Sequence, residues 1–221
     1  MEADIDLGDT HSLQRGARTF VNYCLSCHSA SFMRYSRIAK DLEIPEELVK
    51  NNLMFTTDKI GNTLDVAMPR ADAENWFLGV APPDLSVIAR ARGANWLYTF
   101  LSTFYLAPER PTGVNNLAFK DTAMPHVLWE LQGWQEPVLT TKTDQNGDES
   151  EVIDYLKLAR PGKLSAQEYR QTVSDLVAFL VYLAEPAALV RHRIGIGVLL
   201  FLVILLSLAY ALKKEYWKDV R

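Results

Sequence analysis

The amino-acid sequence predicts a mainly α-helical domain with long loops, followed by a single C-terminal transmembrane helix. Three observations support this prediction. An uncharged apolar run covers residues 194–212, several amphipathic helical patterns precede it, and numerous Pro and Gly residues separate those patterns. The 221 residues are 48% hydrophobic and 23% charged, which is a globular composition. We therefore expect one domain of ordinary size attached to a membrane anchor.

The first helical pattern covers residues 10–28. Its N-cap is expected at Thr10 or Ser12, because hydroxyl side chains accept hydrogen bonds from the free N–H groups of a first turn. We expect this helix to run directly into Cys24. The apolar residues that share one face of it are Leu13, Ala17, Phe20 and Val21.

Shorter helices and loops are expected over the middle of the chain. Pro45 suits the first turn of one helix, and Gly93 separates two others. The short helical patterns cover residues 33–41, 45–52, 84–92 and 96–106. Loops with short helices are expected over residues 56–83, and residues 107–163 are also predicted to be rich in loops.

A β-hairpin is expected within the second loop-rich region. Asn146-Gly147 is typical of a tight hairpin turn, since both residues tolerate positive φ angles. The flanking strands are expected over residues 138–143 and 152–156. We assign no role to residues 133–163 from the sequence, and a surface for a partner is one interpretation of them.

Residues 165–185 form the strongest pattern for a soluble helix. Ser165 followed by Glu168 is a capping box, and Pro186 ends the pattern. The expected apolar face consists of Tyr169, Val173, Leu176, Val177, Leu180 and Leu183.

The apolar run over residues 194–212 predicts a membrane-spanning helix. A helix of this length spans about 28 Å, close to the hydrocarbon thickness of about 30 Å. A buried core helix is the alternative, but such helices rarely run this far without a charge. Two basic residues precede the run and four follow it, which favours a cytoplasmic C-terminus. We expect a domain over 1–190 outside the cytoplasm, an anchor over 191–212 and a cytoplasmic tail over 213–221.

The charge of the chain is unevenly distributed. The formal net charge is −4, and it divides into +4 for residues 191–221 and −8 for residues 1–190. This acidic balance argues against a nucleic-acid partner. An acidic domain favours a basic soluble partner, although the simplest role of the charge is solubility.

The motif that carries chemistry is Cys-Leu-Ser-Cys-His at residues 24–28. Cys-x-x-Cys-His is the attachment pattern of c-type haem, in which Cys24 and Cys27 form thioethers with the porphyrin and His28 is the proximal iron ligand. A thiol–disulfide redox pair would be expected in a βαβ context, which the sequence does not predict. A zinc site needs four ligands, and the chain contains no second pair of cysteines.

An electron-carrying haem requires a sixth iron ligand, and methionine is one that raises the reduction potential. Two methionines are attractive because each is followed by a proline that stiffens the loop: Met68 and Met124, both in Ala-Met-Pro. Histidine is the other possible ligand, and the candidates are His11, His126 and His192. The residue pattern by itself does not decide whether Met68 or Met124 is the sixth ligand, and it assigns no role to Met54.

The chain resembles the cytochrome c1 family over nearly its whole length. The resemblance is carried by CLSCHSASFMRYSRIA (24–39), APPDLSVIARARG (81–93), AMPHVL (123–128) and the helix over 165–185 that leads to a C-terminal anchor. The PPDLS block followed by RAR discriminates far better than CLSCH, which many cytochromes share.

The resemblance implies a cytochrome-c-like domain with one covalently bound haem c and a set of site residues. Cys24 and Cys27 carry the thioethers, and His28 and Met124 are the axial ligands. Arg92 contacts a haem propionate, and Tyr98 is a second propionate partner. Pro82 and Pro83 form a dry wall near His28, where a backbone carbonyl accepts the Nδ1–H of the imidazole.

The function implied by the resemblance is electron transfer within the cytochrome bc1 complex. The chain takes one electron from the Rieske iron–sulfur protein and passes it to a soluble or tethered cytochrome c; it is an electron carrier and not an enzyme on its own. The implied surroundings are a cytochrome b subunit, a lipid bilayer and a dimeric complex in a bacterial inner membrane, with the haem domain in the periplasm. Alternatives are the haem subunit of a nitric oxide reductase or oxidase, a membrane-tethered thiol oxidoreductase using Cys24 and Cys27, and an assembly subunit.

Overall fold

The computed structural model describes residues 1–77, 79–143 and 149–219. The chain divides into two units, Met1–Ala184 and Glu185–Arg221, and each is described by itself. The helices are α1 (Thr10–Tyr23), α2 (Tyr35–Asp41), α3 (Glu46–Asn52), α4 (Arg70–Trp76), α5 (Ile88–Arg92), α6 (Ala94–Ser102), α7 (Trp129–Gln132), α8 (Ala166–Ala184) and α9 (Ala188–Tyr216). The strands are β1 (Ala30–Arg34), β2 (Thr63–Leu64), β3 (Phe104–Leu106), β4 (Val114–Asn116), β5 (Gly133–Thr143) and β6 (Glu149–Pro161).

Helix α1 begins and ends at different residues from those expected. Its N-cap is Asp9, whose carboxylate accepts hydrogen bonds from the backbone N–H groups of His11 and Ser12 at 3.0 and 3.1 Å. The expected caps, Thr10 and Ser12, lie inside the helix, because the carboxylate of Asp9 already satisfies the first-turn donors. The helix ends at Tyr23 and does not continue to residue 28. The expected apolar face is buried, as predicted.

Helix α8 packs against α1 and forms the centre of the core. The capping box is confirmed: Ser165 Oγ accepts from Glu168 N at 3.3 Å, and the Glu168 carboxylate accepts from Ser165 N at 2.8 Å. The predicted apolar face of this helix is buried throughout. The rings of Phe20 and Phe179 lie 5.6 Å apart across the interface between the two helices.

A close approach and an ion pair between a buried aspartate and an exposed arginine fix α1 against α8. A Cβ atom added at Gly16 would lie 2.1 Å from the carbonyl oxygen of Asp175, so only glycine fits there. Asp175 is 2% exposed, and its carboxylate accepts hydrogen bonds from Arg15 Nε at 2.6 Å and from Ser12 Oγ at 2.7 Å. The helix that leads into Cys24 is therefore held rigidly.

Strands are more extensive than a mainly α-helical prediction implies. In the described residues, β1 pairs with β2, β3 with β4 and β5 with β6, each pair antiparallel. The predicted hairpin is confirmed. It is longer than expected, because residues that flank the predicted strands over 138–143 and 152–156 also pair. Its predicted turn, Asn146-Gly147, lies outside the described residues.

The short helices follow the sequence patterns approximately. Helix α3 begins after Pro45, close to the expected start. Two segments that were predicted to be helical are extended at one end. Strand β1 includes the first residues of one of them, and residues 104–106 of the other form β3. In both places pairing with a second strand outweighs local helical periodicity.

The second unit is dominated by α9. Its stretch Ile194–Tyr216 is 23 residues long with a mean hydropathy of 2.7, and none of it is buried. An exposed apolar helix of this length fits a single-pass membrane anchor.

Candidate haem site

The residues of Cys-x-x-Cys-His lie in a tight turn that directly follows α1. The backbone N–H groups of Cys27 and His28 both donate to the carbonyl oxygen of Cys24, at 3.0 and 2.8 Å. Cys24 is buried, Cys27 is half-buried, and both thiols are free. Burial raises the pKa of the Cys24 thiol to about 12, so this thiol is protonated at neutral pH.

The imidazole of His28 is tied to a distant segment of backbone. Its Nδ1 lies 2.7 Å from the carbonyl oxygen of Pro83, and because a carbonyl only accepts, Nδ1 carries the proton. Nε2 is left as the nitrogen with a free lone pair. Burial lowers the pKa of His28, although the Pro83 carbonyl and the charge of Asp84 partly oppose this effect. The lowered pKa favours the neutral imidazole, which is the form that binds metals.

The segment that carries Pro83 is locked to the segment that follows His28. The Asp84 carboxylate accepts from the backbone N–H groups of Ser31 at 2.9 Å and Ser86 at 2.8 Å, and Ser86 Oγ accepts from Phe32 N at 3.1 Å. Burial raises the pKa of Asp84, but the hydrogen bonds from Ser86 and Ser31 together outweigh it, and the pKa is lowered. The PPDLS block therefore positions the acceptor of His28.

Arg92 lies over an aromatic surface. Its guanidinium carbon is 5.0 Å from the centre of the Trp96 ring and 5.9 Å from that of Phe119. Gly93, with φ of 85°, caps α6 and allows the chain to turn between Arg92 and Trp96. Within the described residues Arg92 forms no ion pair, so its charged edge is available to an anion.

No hydrogen bond or cation–π contact joins Tyr98 to Arg92 in the described residues. Tyr98 lies two residues after Trp96 on α6, which places the two side chains on different faces of the helix. Tyr98 is buried and lines a cavity beside α8. The acidic residues that share this cavity are Glu2, Asp4, Asp6 and Asp9.

Met124 lies on the segment that joins β4 to α7, and it is half-buried. Two buried asparagines shape the start of this segment. Asn116 Oδ1 accepts from the backbone N–H of Ala118 at 2.8 Å, and Asn115 Oδ1 accepts from that of Asp121 at 2.8 Å. The backbone N–H of Met124 donates to a neighbouring hydroxyl, that of Thr122, at 3.3 Å.

His126 closes the other end of the same segment. Only 4% of it is exposed, its ring stacks on Phe104 with centres 5.0 Å apart, and Trp134 meets it edge-on at 5.9 Å. Burial lowers the pKa of His126 to about 4, so the ring is neutral at physiological pH.

The remaining candidate ligands lie in other elements. Met68 is half-buried in the loop between β2 and α4, Met54 is buried after α3, and His11 is exposed in the first turn of α1. The side chain of His192 lies outside the described part of the chain.

Sequence reasoning missed the residues that support the predicted ligands. The sequence did not indicate that Arg92 lies over Trp96 and Phe119, because aromatic residues are common in helices and loops. The Asn115-Asn116 pair before a loop was a usable signal, since asparagine side chains frequently bind nearby backbone groups.

The sequence of this chain is similar to those of several known proteins. A sequence model described as the Cytochrome C1 family matches residues 4–159 and 162–220. Cytochrome c1 of Allochromatium vinosum is 51% identical over 218 residues, covering 99% of this chain and 88% of that protein. A protein of Nitrosomonas europaea named ammonia monooxygenase gamma subunit is 50% identical over 219 residues, with coverages of 99% and 88%. Cytochrome b/c1 of Bradyrhizobium diazoefficiens is 26% identical over 245 residues, which cover 96% of this chain and 34% of that protein.

The chain belongs to the cytochrome c1 family, the haem-carrying, electron-transferring subunit of the cytochrome bc1 complex. The family binds haem c. The apolar C-terminal helix fits a single-pass anchor for such a subunit.

The residues of this chain fit a haem c. Two free thiols lie in one turn, and the next residue is an imidazole whose Nδ1 is already engaged. The thioether of Met124 on the loop before α7, and the guanidinium of Arg92, which has no ion pair among the described residues, complete a set of groups of the kind that haem requires.

Proposed function

We propose that the chain holds one haem c covalently through Cys24 and Cys27, with His28 and Met124 as axial ligands. The observation that carries this proposal is the hydrogen bond from His28 Nδ1 to Pro83, because it leaves Nε2 to bind a metal. A haem c bound here supplies the reversible one-electron chemistry of iron.

His28 acts as an oriented ligand in this proposal. The Pro83 carbonyl fixes its tautomer and ring plane, and it strengthens the imidazole as a donor. The carboxylate of Asp84 holds this carbonyl in place through its bonds to Ser31 and Ser86. Met124 supplies a thioether, which favours the reduced state and so raises the reduction potential.

Arg92 is proposed to neutralise a haem propionate. The guanidinium lies over the rings of Trp96 and Phe119, and its N–H groups can pair with a carboxylate. Tyr98, the expected second propionate partner, lines a cavity beside α8, and its role at a propionate stays a prediction.

The proposed partners are the Rieske iron–sulfur protein as electron donor, a cytochrome c as acceptor and a cytochrome b subunit, within a dimeric complex. The family assignment supports these partners, as does a relative whose name joins cytochrome b and c1. The chain is proposed to act as an electron carrier, with quinol oxidation a property of the complex.

The proposed location is a bacterial inner membrane. Residues 1–190 form the periplasmic domain, residues 191–212 the anchor and residues 213–221 the cytoplasmic tail. The excess of basic residues after the apolar run supports this orientation, and so does the completion of bacterial haem attachment outside the cytoplasmic membrane.

The covalent attachment is tested with the pyridine haemochrome spectrum of the purified chain. The wild type is expected to show the spectrum of two thioethers, and Cys24→Ala the spectrum of one or no haem. Ser26→Ala, an exposed change between the two cysteines, is the matched control and should resemble the wild type. An unchanged spectrum in Cys24→Ala would contradict the attachment.

The complex is tested by gentle solubilisation of membranes and identification of the proteins that co-purify with the chain. A cytochrome b and an iron–sulfur protein are expected, together with quinol-dependent reduction of cytochrome c. Recovery with a nitric oxide reductase, an oxidase or a monooxygenase in their place would overturn the assignment of partners.

A further inference from the structure

The segment that carries Met124 has no regular secondary structure of its own. Between β4 and α7, residues 117–128 contain no helix or strand. Such connecting segments are the mobile parts of a fold unless side chains tie them down. A thioether that must stay on an iron therefore needs anchors on both sides of its loop.

The first anchor is the asparagine pair that precedes the loop. Asn116 is 1% exposed, donates from Nδ2 to the carbonyl oxygen of Phe100 at 2.7 Å, and accepts from the backbone of the loop. This anchor ends at Asp121, which leaves the residues after Met124 to be held by something else.

The second anchor is the ring of His126. It lies nearly parallel to Phe104, at an angle of 5°, and nearly perpendicular to Trp134, at 82°. These two partners belong to different strands, which Gln135 joins by donating from Nε2 to the carbonyl oxygen of Phe104 at 2.8 Å. The ring of His126 therefore packs against two strands that a hydrogen bond joins.

Packing of the ring faces holds His126, and the backbone of Gly133 and the side chain of Gln132 lie close enough to the ring to oppose the lowering of its pKa by burial. Its Nε2 is buried and has no hydrogen-bond partner within the described residues. Offset or edge contacts between aromatic rings stabilise more than their buried area alone. Only Pro125, with its fixed φ angle, separates the ring from Met124, so displacement of the ring displaces the thioether.

We propose that His126 is a positioning residue that holds the Met124 sulfur in place through its stack on Phe104 and its edge contact with Trp134. This inference rests on the proposed function, in which Met124 is the sixth ligand. It adds a residue that is not itself a ligand but sets how firmly the ligand is held.

The test compares the purified haem-loaded chain in detergent as wild type, His126→Leu and His126→Phe. Exogenous imidazole competes with Met124 for the ferric iron, so its affinity measures how firmly the thioether is held. His126→Leu keeps the bulk but loses the flat stack, and we expect imidazole affinity to rise about threefold or more. His126→Phe keeps the stack without the nitrogens and should stay close to the wild type.

Phe179→Leu is the matched control, because it also replaces a buried aromatic residue by leucine, at the packing of α8 on α1. It should lower the thermal unfolding midpoint and leave imidazole affinity unchanged. A purely structural role for His126 predicts the same result for His126→Leu, and that result would overturn the inference. Failure of His126→Phe to retain wild-type affinity would overturn it as well.

The two proposals fail in different ways. If the wild-type ferric spectrum lacks the charge-transfer band of a methionine–iron bond, the proposed ligand is wrong, and the inference falls with it. If the wild type shows that band and His126→Leu binds imidazole like the wild type, only the inference is wrong. A spectrum with two nitrogen ligands that changes in His126→Leu would show that His126 is itself the ligand.

Discussion

The Nδ1 atom of His28 lies 2.7 Å from the carbonyl oxygen of Pro83, 55 residues further along the chain. This contact joins the turn after α1 to the PPDLS block. Asp84 secures the joint from the other side, since its carboxylate accepts from Ser31 and Ser86. The family motif that looked separate from the haem motif is part of the same site.

Asp84→Ala is expected to lower the free energy of unfolding by about 1 kcal/mol, because two backbone donors lose a charged acceptor at an exposed position where water replaces part of it. The pKa of Asp84 is lowered in the folded state, so its contribution is present above the unfolded pKa of about 3.9 and is lost as pH falls through the folded value. Denaturant unfolding at neutral and acidic pH measures this.

The matched control for Asp84→Ala is Asp58→Ala, an exposed aspartate without a side-chain hydrogen bond among the described residues. It should change stability by less than about 0.5 kcal/mol. A difference between wild type and Asp84→Ala that stays constant down to strongly acidic pH would contradict the role of the carboxylate.

Gly16→Ala is expected to destabilise the chain by about 3 kcal/mol, because its Cβ would lie 2.1 Å from the Asp175 carbonyl oxygen and α1 must move away from α8. Thermal unfolding followed by circular dichroism measures this. Gly61→Ala is the control, since nothing lies within 4 Å of a Cβ atom there. Equal midpoints for both variants would show that the close approach is not required.

Met124→Leu is expected to retain covalent haem, lower the reduction potential and allow carbon monoxide to bind the reduced iron, because leucine cannot ligate. Met68→Leu is a matched control, since both methionines lie in Ala-Met-Pro. Redox titration and carbon monoxide difference spectra measure the two effects. Carbon monoxide binding in Met68→Leu but not in Met124→Leu would transfer the ligand role to Met68.

Reduction of a basic cytochrome c by this domain is expected to slow as salt rises, because residues 1–190 carry a net charge of −8. Stopped-flow rates over a range of ionic strengths measure the effect. An uncharged inorganic reductant or oxidant provides the control, and its rate should not change. A flat salt dependence with the basic cytochrome would leave the charge without a role in docking.

The sequence was most informative where one local pattern determined the structure. The Ser165–Glu168 capping box and the uncharged run after residue 193 needed no tertiary context, and both were predicted correctly. The turn at Cys24–His28 was placed within a helix instead. Helix α1 ends at Tyr23 because the N–H groups of Cys24 and Leu25 both donate to the carbonyl oxygen of Phe20, which breaks the regular series of helical hydrogen bonds.

Contacts between distant segments explain what the sequence did not predict. Residues 104–106 have helical periodicity, but pairing with Val114–Asn116 makes them a strand. The contact of Arg92 with the Trp96 ring was not indicated by the sequence, and the predicted role of Tyr98, which lines a cavity beside α8, stays a prediction. Such pairings depend on side-chain direction, which spacing alone does not give.

The near-infrared magnetic circular dichroism spectrum of the oxidised, purified chain identifies both axial ligands of a ferric haem. We expect one haem with a nitrogen and a thioether ligand, and loss of the thioether signal in Met124→Leu. Two nitrogen ligands, or a chain without any haem signal, would contradict this expectation.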